Sequence, residues 1–317
     1  MNSLNRRKRD GVATLLFVVA LSAWWFAGYS GQDLLGEIAV LAIFAMSLDF
    51  IVGYAGLVSL GHALYFGLAA YVTAGLTVHL HWPPSAAIAA AIGAAAAAAA
   101  LTGSLVVKLS GIFFIMVTLA FGQMGWAYFL RSPLFGGFSG MSGIPHLDLS
   151  AIGLSLINPS HFSLFAIAIS LLVYLLLSRL VDSPFGQMLV AIHENESRAR
   201  ALGLPVLRYK LAAFVIAGTM AGLAGTLAAQ RVQFVSPDLA VWTTSGEALI
   251  MVIVGGAGTL VGPVVGAVSW VMLRHTLSAM TAYWMLALGI VFIAVVLFTR
   301  NGVYGLVDRL LRIRKNA

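Results

Sequence analysis

The chain has 317 residues, of which 61% are hydrophobic and only 9% are charged. Soluble domains carry about 25% charged residues, so this composition excludes an ordinary globular protein and indicates a membrane protein. The sequence contains no cysteine, which excludes disulfides and thiolate chemistry. Its formal charge of +7 is spread over loops and tails. Basic residues in such positions reflect the orientation of the membrane spans and do not indicate a nucleic acid partner.

Apolar segments of about 20 residues recur along the chain, and each is long enough to cross a hydrocarbon core as a helix. The predicted spans are roughly 12–28, 34–52, 57–78, 85–107, 112–130, 162–180, 209–229, 246–273 and 282–299. Segment 246–273 is too long for one span and contains several glycines, so we predict two short helices meeting at a glycine turn. The expected fold is an all-α membrane protein, a polytopic helical bundle forming one transmembrane domain over residues 1–317. It would have about ten transmembrane segments, or eight plus a re-entrant pair.

The basic residues predict how the bundle is oriented. The first span follows a basic stretch at 6–9, an order that fits an uncleaved first span or, as the alternative, a cleaved signal peptide. With the N-terminus inside, most Lys and Arg fall in cytoplasmic loops, and Arg131, Arg231 and Arg274 fall outside. Cytoplasmic loops are enriched in basic residues, so both termini are predicted to be cytoplasmic.

The longest polar segment between the termini is the loop 182–208. Glu194 and Glu196 precede Arg198 and Arg200 with the i,i+4 spacing that pairs side chains along a short helix. From charge pattern alone, a solvated helix is the simpler interpretation.

The order of features in this loop nevertheless resembles the cytoplasmic coupling loop of branched-chain amino acid ABC permeases of the LivM type. The matching stretches are AIHENE at 191–196, ALG at 201–203, and YKL at 209–211 followed by AGLAG at 221–225. The resemblance implies that an ATPase subunit docks here. The expected coupling residues are Ala191, His193, Glu194, Asn195, Glu196, Arg198 and Gly203.

Two glycine-rich segments, GYAGLVSLGH at 53–62 and GGAGTLVGP at 255–263, are similar to signatures of the same family and to each other. Interrupted segments in corresponding halves of a transporter point to the translocation path. Helix packing through small residues is the alternative. The residues expected to line the path are Gly56, Ser59, Gly61, His62, Glu247, Gly256 and Gly258.

Polar side chains are rare within the apolar segments and are costly in lipid. Glu37, Asp49 and Glu247 lie near predicted span ends, where interfacial water would solvate them, and Gln123 lies within a span. His62 is the best single candidate for lining the path, although a hydrogen-bonded structural histidine is the more common role.

The segment GGFSGMSGIP at 136–145 resembles the external loop of the family. It would face a solute receptor, or serve only as a flexible connector.

The family resemblance implies the permease subunit of an importer for branched-chain or other small amino acids or amides, in a bacterial inner membrane. The implied partners are a second related permease in a heterodimer, two cytoplasmic ABC ATPases and an extracytoplasmic solute-binding protein. The chain has no GxxxxGK[ST] loop, so ATP would be hydrolysed by partner subunits, and we expect no cofactor, metal site or catalytic residue in this chain. The alternatives are a self-sufficient secondary transporter or channel for a small polar solute, and, least favoured, a membrane enzyme.

Overall fold

The computed structural model describes residues 3–26, 28–149 and 154–298, and most of these residues are helical. The helices are α1 Ser3–Phe26, α2 Tyr29–Asp49, α3 Ala63–Val78, α4 Pro84–Val106, α5 Ile112–Arg131, α6 Pro159–Asp182, α7 Pro184–Glu194, α8 Glu196–Ala201, α9 Val206–Val232, α10 Trp242–Gly255, α11 Gly262–Met280 and α12 Trp284–Phe298. Short strands β1 Met141–Ser142, β2 Asp148–Leu149, β3 Leu154–Ser155 and β4 Phe234–Val235 pair antiparallel as β1 with β4 and β2 with β3. The prediction of a helical bundle is confirmed.

Five of the described helices are long and apolar enough to cross a membrane, as a multi-pass membrane protein requires. They are α4, α5, α6, α9 and the helix 29–54, in which α2 continues through a π-helical turn at Phe50–Tyr54. Shorter apolar helices lie at 11–26, 63–78, 242–255 and 284–294. The tail beyond residue 298 lies outside the described residues.

Helices α2 and α9 form the centre of the bundle. Helix α2 packs against α6, α10 and α11, while α9 packs against α2, α3 and α4. The alanine-rich α4 presents one fully buried alanine per turn to this centre, at 87, 91, 95 and 99. A Cβ added to Gly218 of α9 would lie 2.5 Å from Cβ of Ala99. Small residues therefore let α4 and α9 approach closely, as membrane helices require when lipid removes the hydrophobic driving force.

The predicted span 57–78 is wrong in its first six residues, because α3 begins only at Ala63. Residues 55–62 form an irregular segment that is largely buried among the helices. Its backbone groups find internal partners: Leu57 N donates to Ile51 O, and Ala63 N donates to Ser245 Oγ at 2.7 Å. Irregular backbone at membrane depth is tolerated where protein satisfies it in this way.

The broken segment forms α10 and α11, which extend beyond 246–273 at both ends. A tight turn at 256–261 joins them. A Cβ on Gly266 would overlap Met251 O, and one on Gly255 would overlap Gly262 O, so the two helices fold back on each other in close contact.

The bundle has two distinct ends. Near the start of α2, Asp33 is bonded to Arg231 at the end of α9. Just beyond Tyr54, Gly56 lies against His193 of α7. Tyr54 lies 21 residues after Asp33, which corresponds to about 32 Å along a helix at 1.5 Å per residue. We call the two ends the charge-cluster end and the α7 end.

Candidate coupling and translocation site

The loop 182–208 folds as two helices rather than the single short helix predicted. Helix α7 ends at Glu194, and Asn195 adopts an extended conformation. The Oδ1 atom of Asn195 accepts a hydrogen bond from Arg198 N at 2.8 Å, so Asn195 caps α8. Glu196 pairs with Arg200 one turn further on, as expected. The pairing of Glu194 with Arg198 is wrong, because the break at Asn195 separates them.

The outward face of α7 and α8 carries most of the predicted coupling residues. The side chains of Ala191, His193, Glu194, Asn195 and Arg198 are exposed. The opposite face is buried against the bundle, where Ile192, Ala199 and Val206 form an apolar cluster. The two short helices are thus amphipathic, with a polar face exposed and an apolar face packed.

A salt bridge ties α8 to the start of α9. The Nζ atom of Lys210 donates to Oε2 of Glu196 at 2.6 Å, and Lys210 is only 5% exposed. Burial works against ionisation, but the hydrogen bonds from Lys210 and Arg200 prevail and lower the pKa of Glu196. The carboxylate is therefore charged at neutral pH. After α8, Gly203 has a φ of +80°, which glycine adopts without strain and which turns the chain into α9.

The end of α7 touches the first glycine segment directly. A Cβ on Gly56 would lie 2.6 Å from Cδ2 of His193, and Gly56 also has a φ of +69°. Both the ring contact and the left-handed backbone require glycine at this position. The structure thus brings together a residue predicted for coupling and a residue predicted for the path.

The first glycine segment in turn contacts the second. A Cβ on Gly53 would overlap the backbone N and Cα of Gly258. At the same place, Oδ1 of Asp49 accepts a hydrogen bond from Gly258 N at 2.6 Å, and Oδ2 accepts one from Leu260 N at 3.1 Å. Asp49 is fully buried, so the prediction that interfacial water solvates it is wrong. Its carboxylate instead caps the turn between α10 and α11.

His62 occupies the core beside these segments. Its Nε2 lies 2.9 Å from Ser47 Oγ, its ring stacks on Phe44, and no part of it is exposed. These are the contacts of a hydrogen-bonded structural histidine. Its neighbours are equally enclosed, since Ser59 is fully buried and a Cβ on Gly61 would overlap Thr118 O of α5. The segment is closed in this conformation.

The residues predicted to line the path do not form one cluster. Glu247 lies on α10 at the charge-cluster end, nine residues before Gly256, which corresponds to about 13 Å along a helix. Glu37 is also at that end and is bonded to arginines rather than solvated by interfacial water. Gly258 lies at the α7 end with Gly53.

The charge-cluster end contains an ionic network that the sequence analysis missed. Arg231 Nη2 lies 2.9 Å from Asp33 Oδ2 and 3.0 Å from Glu37 Oε2, and Arg274 also binds Glu37. The partners are about 200 residues apart in the chain. The exceptional position of Arg231 and Arg274 outside the positive-inside pattern was the available signal.

The glycine-rich segment 136–145 is fixed to the end of α9 rather than free. Strand β1 pairs with β4. Gln230 accepts from Leu147 N at 2.7 Å and donates to Pro145 O at 3.0 Å. Gln233 donates to Ile144 O at 3.2 Å. These bonds argue against a flexible connector.

Comparison with known proteins identifies related chains. A family model described as the permease component of branched-chain amino acid transport systems matches residues 32–296. The high-affinity branched-chain amino acid transport system permease protein LivM of Escherichia coli is 30% identical over 329 residues, covering 95% of this chain and 77% of the relative. LivM of Salmonella typhimurium is 30% identical, covering 90% and 73%. The ribose import permease protein RbsC of Haemophilus influenzae is 24% identical, covering 92% of each chain. No solved structure is a significant match.

Proposed function

This chain belongs to the permease-component family of branched-chain amino acid transport systems, and we propose that it forms the translocation path of an ATP-binding-cassette importer in a bacterial inner membrane. Its partners would be a second related permease, two cytoplasmic ATPases and an extracytoplasmic solute-binding protein. Its cargo would be a branched-chain or other small amino acid, or a related amide. ATP would be bound and hydrolysed by the partner ATPases, with no cofactor held by this chain.

We place the α7 end in the cytoplasm. This places α7, α8 and the α4–α5 connection with Lys108 inside, and it leaves Arg131, Arg231 and Arg274 at the outer end. The placement follows the positive-inside rule. The transmembrane segments are then α1 to α6 and α9 to α12, with α10 and α11 as a pair of short crossings, and both termini are cytoplasmic.

The observation that carries the proposal is a series of contacts that leads from α7 to the first glycine segment and from there to the second. His193 touches Gly56, Gly53 touches Gly258, and Asp49 holds the α10–α11 turn. An ATPase that moves the exposed face of α7 would displace these segments as a connected body. Rigid-body motion passed through packed contacts is a common form of such switching.

A self-sufficient secondary transporter is less well supported. It would need an intramembrane ionisable group free to bind a proton or a coupling ion. Asp49 is the fully buried acid among the described residues, and both of its oxygens already accept backbone hydrogen bonds. Glu247 of α10 accepts no hydrogen bond from a described residue, but it lies at the charge-cluster end beside Glu37 and Arg274. The position of Asp49 is therefore better explained by structure than by ion coupling.

The test is purification of this chain from its native membranes in mild detergent, followed by mass spectrometry of the proteins that remain bound. We expect Walker-motif ATPases and a second permease of similar size. The variant Arg198→Glu, which reverses an exposed charge on α8, should lose the ATPases and keep the second permease. The matched control is Arg131→Glu at the outer end, which should keep both. Recovery of the chain alone, while a known ABC complex survives the same detergent, would contradict the proposal.

A further inference from the structure

A cavity of about 350 Å³ lies at the charge-cluster end, between α2, α3, α9, α10 and α11. Pockets for small ligands usually enclose about 300–1,000 Å³, so its size suits a single small solute. The residues of its lining differ sharply in polarity between the rim and the floor.

The rim is charged. Its charged lining residues are Glu37, Arg231, Asp238, Glu247 and Arg274. Glu37 accepts from both arginines, and Arg231 is further held by Asp33. Glu247 is half-buried and forms no hydrogen bond to any other described residue, and Arg274 donates only to Glu37 among them. Among the described residues, the carboxylates of Glu247 and Asp238 therefore accept no hydrogen bond, and the guanidinium of Arg274 has N–H groups to spare.

The floor is apolar. Leu41 of α2 lies one turn deeper than Glu37, and Ala228 of α9 lies one turn below Arg231. Phe66 of α3 closes the bottom and packs on Phe44, with ring centroids 4.7 Å apart. A ligand that fills the cavity would have its charged groups at the rim and a hydrocarbon portion on the floor.

We propose that this cavity binds an aliphatic amino acid as a zwitterion on its way through the membrane. The ammonium group would donate to Glu247, the carboxylate would accept from Arg274, and the side chain would lie on Leu41 and Phe66. The inference deepens the proposed function and rests on it. A neutral sugar would leave the half-buried carboxylate of Glu247 without a cationic donor, so the rim favours an amino acid over the cargo of the related ribose permease.

The test measures binding of three ligands that share one hydrocarbon skeleton. The chain is purified with its bound subunits into lipid nanodiscs, and calorimetric titration follows L-leucine, 4-methylpentanoate and 3-methylbutylamine. The last two lack the ammonium and the carboxylate group, respectively. We expect leucine to bind about tenfold to a hundredfold more tightly than either analogue, since hydrogen bonds to charged groups contribute on that scale.

Two variants assign the two ends of the ligand. Glu247→Gln should reduce the affinity for leucine by that factor and leave the affinity for 4-methylpentanoate unchanged. Arg274→Gln should reduce the affinity for leucine by the same factor and leave the affinity for 3-methylbutylamine unchanged. Each variant contains its own control, because a misfolded protein would lose both ligands. Thr243→Ala, which removes an exposed hydroxyl from the same helix outside the cavity lining, should bind all three ligands as the parent does.

Leu41→Trp gives an independent check of the floor. It should weaken leucine binding at least tenfold and leave glycine binding unchanged, because only the leucine side chain reaches the floor. If leucine affinity is the same in the parent, Glu247→Gln and Leu41→Trp, the cavity proposal is wrong. If those variants bind leucine normally while vesicles of the native membrane still take it up with ATP, the importer function stands without this site. If the chain purifies without ATPases but still discriminates among the three ligands as expected, the cavity proposal is supported and the importer function is contradicted.

Discussion

Replacing Gly53 with alanine perturbs the contact between the two glycine segments. The new Cβ would lie 2.8 Å from Oδ1 of Asp49 and closer still to the backbone N and Cα of Gly258. No rotamer change relieves an overlap with backbone atoms, so the turn between α10 and α11 has to move away from α2.

The cost has two sources. Overpacking a well-packed interior costs about 1–3 kcal/mol. Moving the turn also stretches the hydrogen bond from Gly258 N to Asp49, and a bond to a charged group contributes about 1.5–3 kcal/mol. Because the second loss is partial when the first is relieved by movement, we expect a total destabilisation of roughly 2–5 kcal/mol.

The assay is denaturant unfolding in detergent, combined with ATP-dependent uptake of leucine into membrane vesicles. The matched control is Gly93→Ala in α4, where an added Cβ has no atom within 4 Å. The control should be as stable as the parent or up to about 1 kcal/mol more stable, from helix propensity alone. If Gly53→Ala unfolds and transports like Gly93→Ala, the two glycine segments are not in the contact on which the coupling argument depends.

Three further predictions concern other contacts of the bundle. Gly56→Ala should lower the free energy of unfolding because its Cβ meets the His193 ring; adding His193→Ala should restore part of the stability and leave a loss of about 1–2 kcal/mol from the left-handed backbone, as a double-mutant cycle would show. Glu196→Gln should destabilise the chain by about 1–3 kcal/mol at neutral pH, since it removes the counter-charge of buried Lys210. The pKa of Glu196 is lowered in the folded state. The difference in unfolding free energy between parent and variant should therefore be fully present above the ordinary carboxyl pKa and disappear as the pH falls through the lowered pKa. Gly225→Ala, whose Cβ would overlap a backbone carbonyl of α3, should unfold at lower denaturant than the parent.

The sequence predicts the long helices well because hydropathy over about 20 residues largely decides whether a segment can cross a membrane. Helix α4 is an example, since its predicted span of 85–107 differs from Pro84–Val106 by one residue at each end. The same criterion fails at 57–62. Those residues are as apolar as a helix, and their irregular path depends on partners such as Ser245, 182 residues away from Ala63.

The site was predictable in part. Family motifs select both glycine segments and the loop 182–208, but they do not reveal that these segments touch one another. Asp49 illustrates the difficulty, because its position near a span end suggests solvation by interfacial water. Its actual partners, the N–H groups of Gly258 and Leu260, lie more than 200 residues further along the chain. The ionic network around Arg231 depends on similarly distant contacts.

The contacts between the glycine segments have a mechanical consequence for the proposed importer. Side chains change rotamer and absorb small displacements, whereas backbone in contact with backbone has no rotamers to change. Close-packed interiors transmit such strain. The contact of Gly53 with Gly258, reinforced by Asp49, therefore makes the end of α2 and the α10–α11 turn move together.

That shared movement connects the two ends of the molecule. Helices α2, α10 and α11 carry Glu37, Glu247 and Arg274, which supply most of the charged rim of the cavity, whereas Arg231 and Phe66 belong to α9 and α3. If α7 displaces the first three helices relative to the other two, the cavity changes shape at the opposite end of the bundle from the proposed ATPase surface. A zwitterion in the cavity would keep its ionic contacts with Glu247 and Arg274, but its side chain would lose the contact with Phe66 as the helices separate. Release of the solute would then follow from the same motion that ATP drives, with no separate gate required.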